Sequence, residues 1–211
     1  MNIATSLRKS TVVGIMFAVC IAITALLTVA LMPAQDAYAA PKTVKTAATF
    51  TVDGNTYKIT ERWKSAKDPG EVVLVKYGSN NKKPVINTVK YQGKVYEVEE
   101  IGKSAFDNAK GHAITSVTIG RNVEEIGARA FYGCSKLSTI DISKSEVIEI
   151  DYSRKSRSYY LDDVEIGSQA FAKAGTAAVK VKCGNNNKQY QQLVKKALTG
   201  KGLRTSATVI R

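Results

Sequence analysis

Histidine and tryptophan each occur once in the 211 residues, cysteine three times and proline four times. One histidine rules out a multi-histidine metal centre, and His112 is the only imidazole base for a hydrolytic triad. Three cysteines are too few for a disulfide-stapled mini-protein. Acidic residues are also short, 18 against 31 Lys and Arg, for a formal charge of +13. Beyond residue 32 no apolar run is long enough to cross a bilayer, which takes ~20 residues. Hydrophobic residues make up 44% and charged ones 23%, which excludes a disordered chain and a polytopic membrane protein.

The long apolar run that does exist comes first. Arg8 and Lys9 precede an uncharged stretch from Thr11 to Met32, then Pro33 and Ala37-Tyr38-Ala39. A basic start, an apolar middle and small residues before a junction describe an export signal, cut between Ala39 and Ala40. The run is also long enough to stay as an N-terminal anchor. The helix-breaking Pro33 and the Ala-Tyr-Ala site favour cleavage. Either fate puts the rest of the chain outside the cytoplasm, secreted or at the cell surface. The mature chain then carries 29 basic and 17 acidic residues, or +12, and two thiols, Cys134 and Cys183.

The mature chain repeats itself. Val98-Glu99-Glu100-Ile101-Gly102-Lys103-Ser104-Ala105-Phe106 returns 25 residues later as Val123 to Phe131, identical at seven of nine positions. A third copy, Val164 to Phe171, keeps Ile-Gly-x-x-Ala-Phe. Each copy leads to a short alternating run: Val117-Thr118-Ile119, Ile140-Asp141-Ile142 and Val179-Lys180-Val181. Period two predicts strands with one buried face. One coil cannot bury its Phe and Ile alone, so the coils must stack, with Phe106, Phe131 and Phe171 in one column and Ile101, Ile126 and Ile166 in another. The fold class is an α/β repeat, a short right-handed solenoid with a parallel β-sheet.

The full pattern from Val123 to Ile142, Val-x-x-Ile-Gly-x-x-Ala-Phe-x-x-Cys-x-x-Leu-x-x-Ile-x-Ile, resembles the BspA-like leucine-rich repeat family of bacterial cell-surface and secreted proteins. Val89 to Tyr96 is similar to that family's opening hairpin, and Gln189 to Gly200 to its closing helix. The departures are a repeat one longer by two residues, a repeat three without its Leu, and an insertion before repeat three. The resemblance implies a leucine-rich-repeat fold outside the cell and a binding scaffold without catalysis.

The organisation expected is a signal at 1–39, a β-rich N-terminal cap at 40–97, three repeats at 98–183 and a C-terminal cap helix and strand at 184–211. In the cap, Asp53-Gly54 and Gln92-Gly93 read as hairpin turns. Trp63 is a core residue, and Val85 to Val89 carries strand character. Tyr190, Leu193, Val194, Ala197 and Leu198 mark one apolar helix face, with Asn187 as its cap and Gly200 as its end. Lys195 and Lys196 fall in its last turn.

About 15 residues are inserted before repeat three, and 146–162 reads as a projecting hairpin. Its tip sets Arg154, Lys155 and Arg157 beside Tyr152, Tyr159 and Tyr160, residue types that dominate interface energies. The plain alternative is a solvated loop whose tyrosines pack back on the body. Between the apolar strand residues, Thr118, Asp141 and Lys180 face out, aligned across the coils as an open polar platform that the hairpin overhangs at one edge. These nine residues form the candidate partner-binding surface.

The sequence offers no catalytic, cofactor or metal residues. Cys134 aligns with Ala109 and Ala174, a small buried position, and a buried thiol is inert. An exported chain permits a Cys134–Cys183 bridge, but with a coil boundary between them their Cα atoms would have to come within ~7 Å, so two free buried thiols are expected in preference to a disulfide. No paired carboxylates stand out. The function expected is a non-catalytic protein–protein or adhesion module, monomeric, with an enzyme inhibitor or a wall-associated structural protein as the alternatives. Its partner is an extracellular protein or an anionic cell-wall polymer, not nucleic acid. A membrane enters only through an uncleaved N-terminal segment.

Overall fold

The structure is a computed structural model and describes residues 48–176 and 178–211. The export segment and the Ala39–Ala40 junction lie outside the described residues.

Strands β1 (Thr49–Val52) and β2 (Asn55–Ile59) pair antiparallel around Asp53 and Gly54, whose φ of 49° and 81° suit a tight hairpin turn. Strand β3 spans Gly70–Lys76. The expected strand signal over Val85 to Val89 divides at Asn87. The piece before it, β4 (Val85–Ile86), and the piece after it, β5 (Thr88–Tyr91), join different sheets. Asn87 fixes the break: its carbonyl accepts from Val98 N at 2.9 Å and its Oδ1 from Asn122 N at 3.3 Å. Strand β6 (Lys94–Ile101) returns from β5 through Gln92 and Gly93, both with positive φ. The first sheet runs β1-β2-β3-β6-β5. Trp63 is partly buried against the core, with Lys94 Nζ 5.2 Å from its ring centre.

The repeats supply β7 (Ser116–Ile119), β8 (Glu125–Ile126), β9 (Thr139–Asp141) and, beyond the inserted hairpin β10 (Ile148–Ser153) and β11 (Ser158–Val164), β12 (Lys180–Lys182). Helix α1 (Lys188–Gly200) and β13 (Thr208–Ile210) follow. The second sheet runs β13-β12-β9-β7-β4, parallel throughout. Val117, Ile119, Ile140 and Val181 are buried, as the alternation predicts.

The phenylalanines stack. Phe106 and Phe131 lie 4.6 Å apart and Phe131 and Phe171 5.3 Å apart, ring centre to ring centre. Tyr77 extends the column by 4.5 Å beyond Phe106, a member the repeat pattern does not announce. The backbone follows the rings. The N–H groups of Tyr77, Phe106 and Phe131 donate to the carbonyls of Ala105, Ala130 and Ala170 one coil on, each at 2.8 Å. The last, Phe171 N, donates to Lys201 O at 3.0 Å. The isoleucines form a second ladder. Ile101 pairs with Ile126, Ile126 bridges to Ile166, and Leu74 precedes them opposite Ile101. Ile-Gly is thus a short parallel ladder as well as a turn. Ser104, Arg129 and Gln169, at one repeat position, all take the left-handed conformation, with φ of 55°, 57° and 53°.

Asn187 caps α1: its Oδ1 accepts from Gln189 N at 2.8 Å and Tyr190 N at 3.2 Å. Gly200 does not end the helix as a left-handed residue. It is the last helical position, and Gly202, at φ 96°, makes the turn. That extension leaves no basic residue in the last turn, so Lys195 and Lys196 lie further from the C-terminus than expected.

Candidate functional site

The outward side chains of the parallel sheet form two rows. In one, Val85, Thr118, Asp141, Lys182 and Ile210 stand side by side; in the other, Ser116, Thr139, Lys180 and Thr208. The structure therefore joins Thr118 to Asp141, as expected, but corrects Lys180. Asp141 faces Lys182, and Lys180 belongs to the neighbouring row. Repeat three offers three alternating buried residues, Val179, Val181 and Cys183, and pairs through the second of them. Val181, not Val179, lies in register with Ile140, so the strand is shifted by two residues and Cys183 fills the buried site that follows. Lys182 Nζ lies 3.9 Å from Asp141 Oδ2, while Ser143 Oγ donates to Asp141 Oδ1 at 2.7 Å. Val85, at 66% exposed, and Ile210 add apolar contacts at the two edges.

The inserted hairpin leans on α1. Tyr159 N–H donates to Gln189 Oε1 at 3.0 Å, and Gln189 Nε2 donates back to Tyr159 O at 3.2 Å. Tyr159 meets Tyr190 edge-on at 5.7 Å and Tyr152 at 5.0 Å. Tyr159 thus packs back on the body, whereas Tyr152 and Tyr160 are exposed, as are Arg154, Lys155 and Arg157 at the tip. The hairpin's packing partner is α1, on which its first strand also rests.

The thiols are free and buried. Burial, then the charge of Asp107, pushes the Cys134 thiol up to about 12, and its Sγ donates to Phe106 O at 3.9 Å. His112 Nε2 lies 3.3 Å from Asp107 Oδ1, and Arg129 Nη2 donates to Asp107 Oδ2 at 3.2 Å. A thiol held protonated cannot act as a nucleophile at neutral pH. Cys183 Sγ donates to Ile210 O at 3.2 Å. Ala109 is exposed, so it is not the counterpart of Cys134. The two extra residues of repeat one move that buried place to Gly111, where a Cβ would lie 2.0 Å from Phe106 O.

Carboxylates do pair, contrary to expectation. Glu100 stands opposite Glu125, Glu71 opposite Glu97, and Ile126 N donates to Glu165 O at 2.9 Å, which brings Glu165 into the same series. A notch of about 240 Å³ is lined by Glu71, Glu97, Glu99, Glu124, Glu146, Arg121 and Asn122. For Glu100, Glu125 and Glu165 the signal is the repeated Glu-Ile, since stacked coils stack identical charges, whereas Glu71 and Glu97 lie outside the repeated motif. Burial, reinforced by Glu99 and Glu61, raises Glu71 from 4.5 to about 7. Burial and Glu125 raise Glu100, and burial and Asp163 raise Glu165. A carboxyl whose folded value is raised binds its proton more tightly in the folded state. Its contribution to stability is present below the unfolded value of 4.5 and is lost as pH rises through about 7. Glu71→Gln should therefore melt higher than the parent at pH 8 and close to it at pH 4. Parallel melting curves across that range would contradict the account.

Among the described residues no helix is long and apolar enough to cross a membrane, and no group of three or more His, Cys, Asp or Glu is arranged to hold a metal ion. A family model described as BspA type Leucine rich repeat region matches residues 86–190, in six copies. No curated protein matches the sequence. Among solved structures, a leucine rich cell surface protein from Faecalibacterium prausnitzii A2-165 is similar at 23% identity and a TM-score of 0.40. That match takes in 64% of this chain and 32% of the other, so the chain spans about a third of its length. A leucine-rich repeat protein from Bacteroides capillosus ATCC 29799 is similar at 22% identity and a TM-score of 0.44, over 76% of this chain and 96% of the other.

Proposed function

The chain belongs to the BspA-type leucine-rich repeat family, and from that we propose a non-catalytic module, exported to the cell surface or beyond, that binds a partner protein on its parallel sheet and serves in adhesion. The two rows of outward side chains carry this reading. Their central members, Ser116, Thr118, Thr139 and Asp141, are short and polar, they stand in register on the paired strands, and binding them orders little that is not already ordered. The coils act as a short solenoid, covered at one end by the hairpins of β1, β2, β5 and β6 and at the other by α1 and β13, the covers that repeat arrays require. The basic, then apolar N-terminal segment with its Ala-Tyr-Ala site supports export. The suppressed thiol of Cys134 and the engagement of His112 by Asp107 support the absence of catalysis.

The test separates the sheet from the hairpin. A panel of immobilised extracellular proteins is screened with the purified chain. Whatever partner is found is then titrated with Thr118→Arg/Thr139→Arg and with a variant carrying Ser or Ala at Arg154, Lys155, Arg157, Tyr152 and Tyr160. The sheet variant should weaken binding by at least ~10-fold, the effect of losing roughly 1.4 kcal/mol. Full binding by a folded sheet variant would move the site elsewhere.

A further inference from the structure

Basic residues are spread along the chain, but the net positive charge is concentrated near its C-terminal end. Residues 166–211 contain nine Lys and Arg and no Asp or Glu, and all 18 acidic residues precede them. The fold collects this basic segment at one end of the second sheet, where β12, α1 and β13 are neighbours. Between α1 and β13 runs a groove of about 370 Å³. Lys188 and Lys195 line it from the helix, with Gln191 and Gln192 between them, and Thr205, Ser206 and Thr208 line it from the strand side. Seven residues are nearly two helical turns, so the two lysines rise from one side of α1 about 10 Å apart. Lys180 stands directly beside Thr208 in the strand register, which adds a third cation at the groove's margin. Among the described residues none of these three lysines has a carboxylate partner within ion-pair distance, and the nearby pair of Lys182 and Asp141 is long, at 3.9 Å.

Cations held apart at fixed spacing, with amides and hydroxyls between them, fit a ligand that alternates anions with hydrogen-bonding neutral units. We infer that the α1–β13 groove, with Lys180 beside it, docks a linear phosphodiester polymer of polyol units. Its phosphates meet Lys180, Lys188 and Lys195, and its polyol hydroxyls meet Gln191, Gln192, Thr205 and Thr208. Lysine serves phosphate as a point charge. The groove offers no aromatic ring for a base to stack on, which disfavours single-stranded nucleic acid. β13 is only three residues long, which disfavours an acidic peptide added as a further strand. The groove shares Lys180 and Thr208 with one outward row but contains none of that face's β7 and β9 members, so Thr118→Arg/Thr139→Arg leaves its lining intact and the two readings can fail separately.

The experiment titrates the full chain with a fluorescent glycerol-phosphate oligomer at about 50 mM and about 200 mM salt, where counterion release makes affinity fall steeply. Lys188→Gln/Lys195→Gln should lower affinity about tenfold, as expected for two exposed charge pairs. Lys82→Gln/Lys83→Gln removes the same charge from exposed residues elsewhere and should change it less than about twofold. Gln191→Ala/Gln192→Ala should weaken the glycerol-phosphate oligomer but not inorganic polyphosphate, which lacks the polyol. Circular dichroism and thermal melts establish that each variant is folded. Equal losses in the two lysine doubles would assign binding to diffuse charge and overturn the proposal. So would displacement of the oligomer by polyglutamate or DNA at equal charge concentration, or Gln variants that weaken both probes alike.

Discussion

Phe131→Ala should destabilise the protein by about 3–5 kcal/mol, the range for truncating a buried aromatic. Phe131 is fully buried and sits between two rings, Phe106 at 4.6 Å and Phe171 at 5.3 Å. The void cannot be closed by moving one neighbour. Each ring belongs to a coil whose backbone is tied to the next through the Phe N–H to Ala C=O bonds, so collapse at one level would break bonds at two. A loss of that size is a large share of the roughly 5–15 kcal/mol that holds a domain folded. Tyr160 is the contrast. It is also aromatic but exposed on the hairpin, and Tyr160→Ala should stay within about 0.5 kcal/mol. Denaturant titration measures both. A Phe131→Ala loss below about 1 kcal/mol, no more than an average substitution, would mean that the column does not hold the coils together.

Gly127→Ala should be nearly as damaging, at about 2–3 kcal/mol or more for forced overpacking. The reason is proximity, not backbone conformation, since Gly127 has no positive φ. A Cβ there would lie 2.6 Å from Lys103 N and 2.8 Å from Gly102 C, both main-chain atoms of the preceding coil. Gly167 is in the same position one coil later, 2.3 Å from Ala128 N. Gly127 N–H also donates to Ile101 O at 2.7 Å, so the coils cannot part without losing that bond. Gly200→Ala is the internal control. Nothing lies within 4 Å of its Cβ, and a helical Ala in place of Gly should stabilise by about 0.5–1 kcal/mol. If Gly127→Ala and Gly200→Ala melted alike, the close approach of coils would be wrong.

Much of this was legible in the sequence because repetition multiplies a weak signal. Ile-Gly-x-x-Ala-Phe, three times over, assigns Phe106, Phe131 and Phe171 to one column and Ile101, Ile126 and Ile166 to another, and the rings and the ladder are arranged that way. The Asp53-Gly54 and Gln92-Gly93 turns were equally plain, because only a few residue types tolerate positive φ at both central positions. What failed was alignment where the repeat changes length. An ungapped alignment of repeat one puts the small buried site at Ala109, whereas the two extra residues precede that site and make it Gly111. In repeat three the first apolar residue of the run is Val179, although the strand pairs through Val181. Tyr77 was missed because it caps the aromatic column from outside the repeat. The stacked glutamates do not stand out as neighbours along the chain, because a repeat brings together residues 25 or 40 positions apart. The hairpin was found by the break in period, but its resting place on α1 depends on Gln189 and Tyr190, which lie far along the chain.

The sheet face exists as rows only if the coils stack in one register. Interstrand nuclear Overhauser contacts on the isotope-labelled protein report it directly, since neighbouring parallel strands lie about 4.8 Å apart. Asp141 should show contacts to Thr118 on one side and Lys182 on the other, with Thr139 contacting Ser116 and Lys180. Contacts from Asp141 to Lys180, with Ile140 beside Val179, would contradict the stacking and with it the composite face.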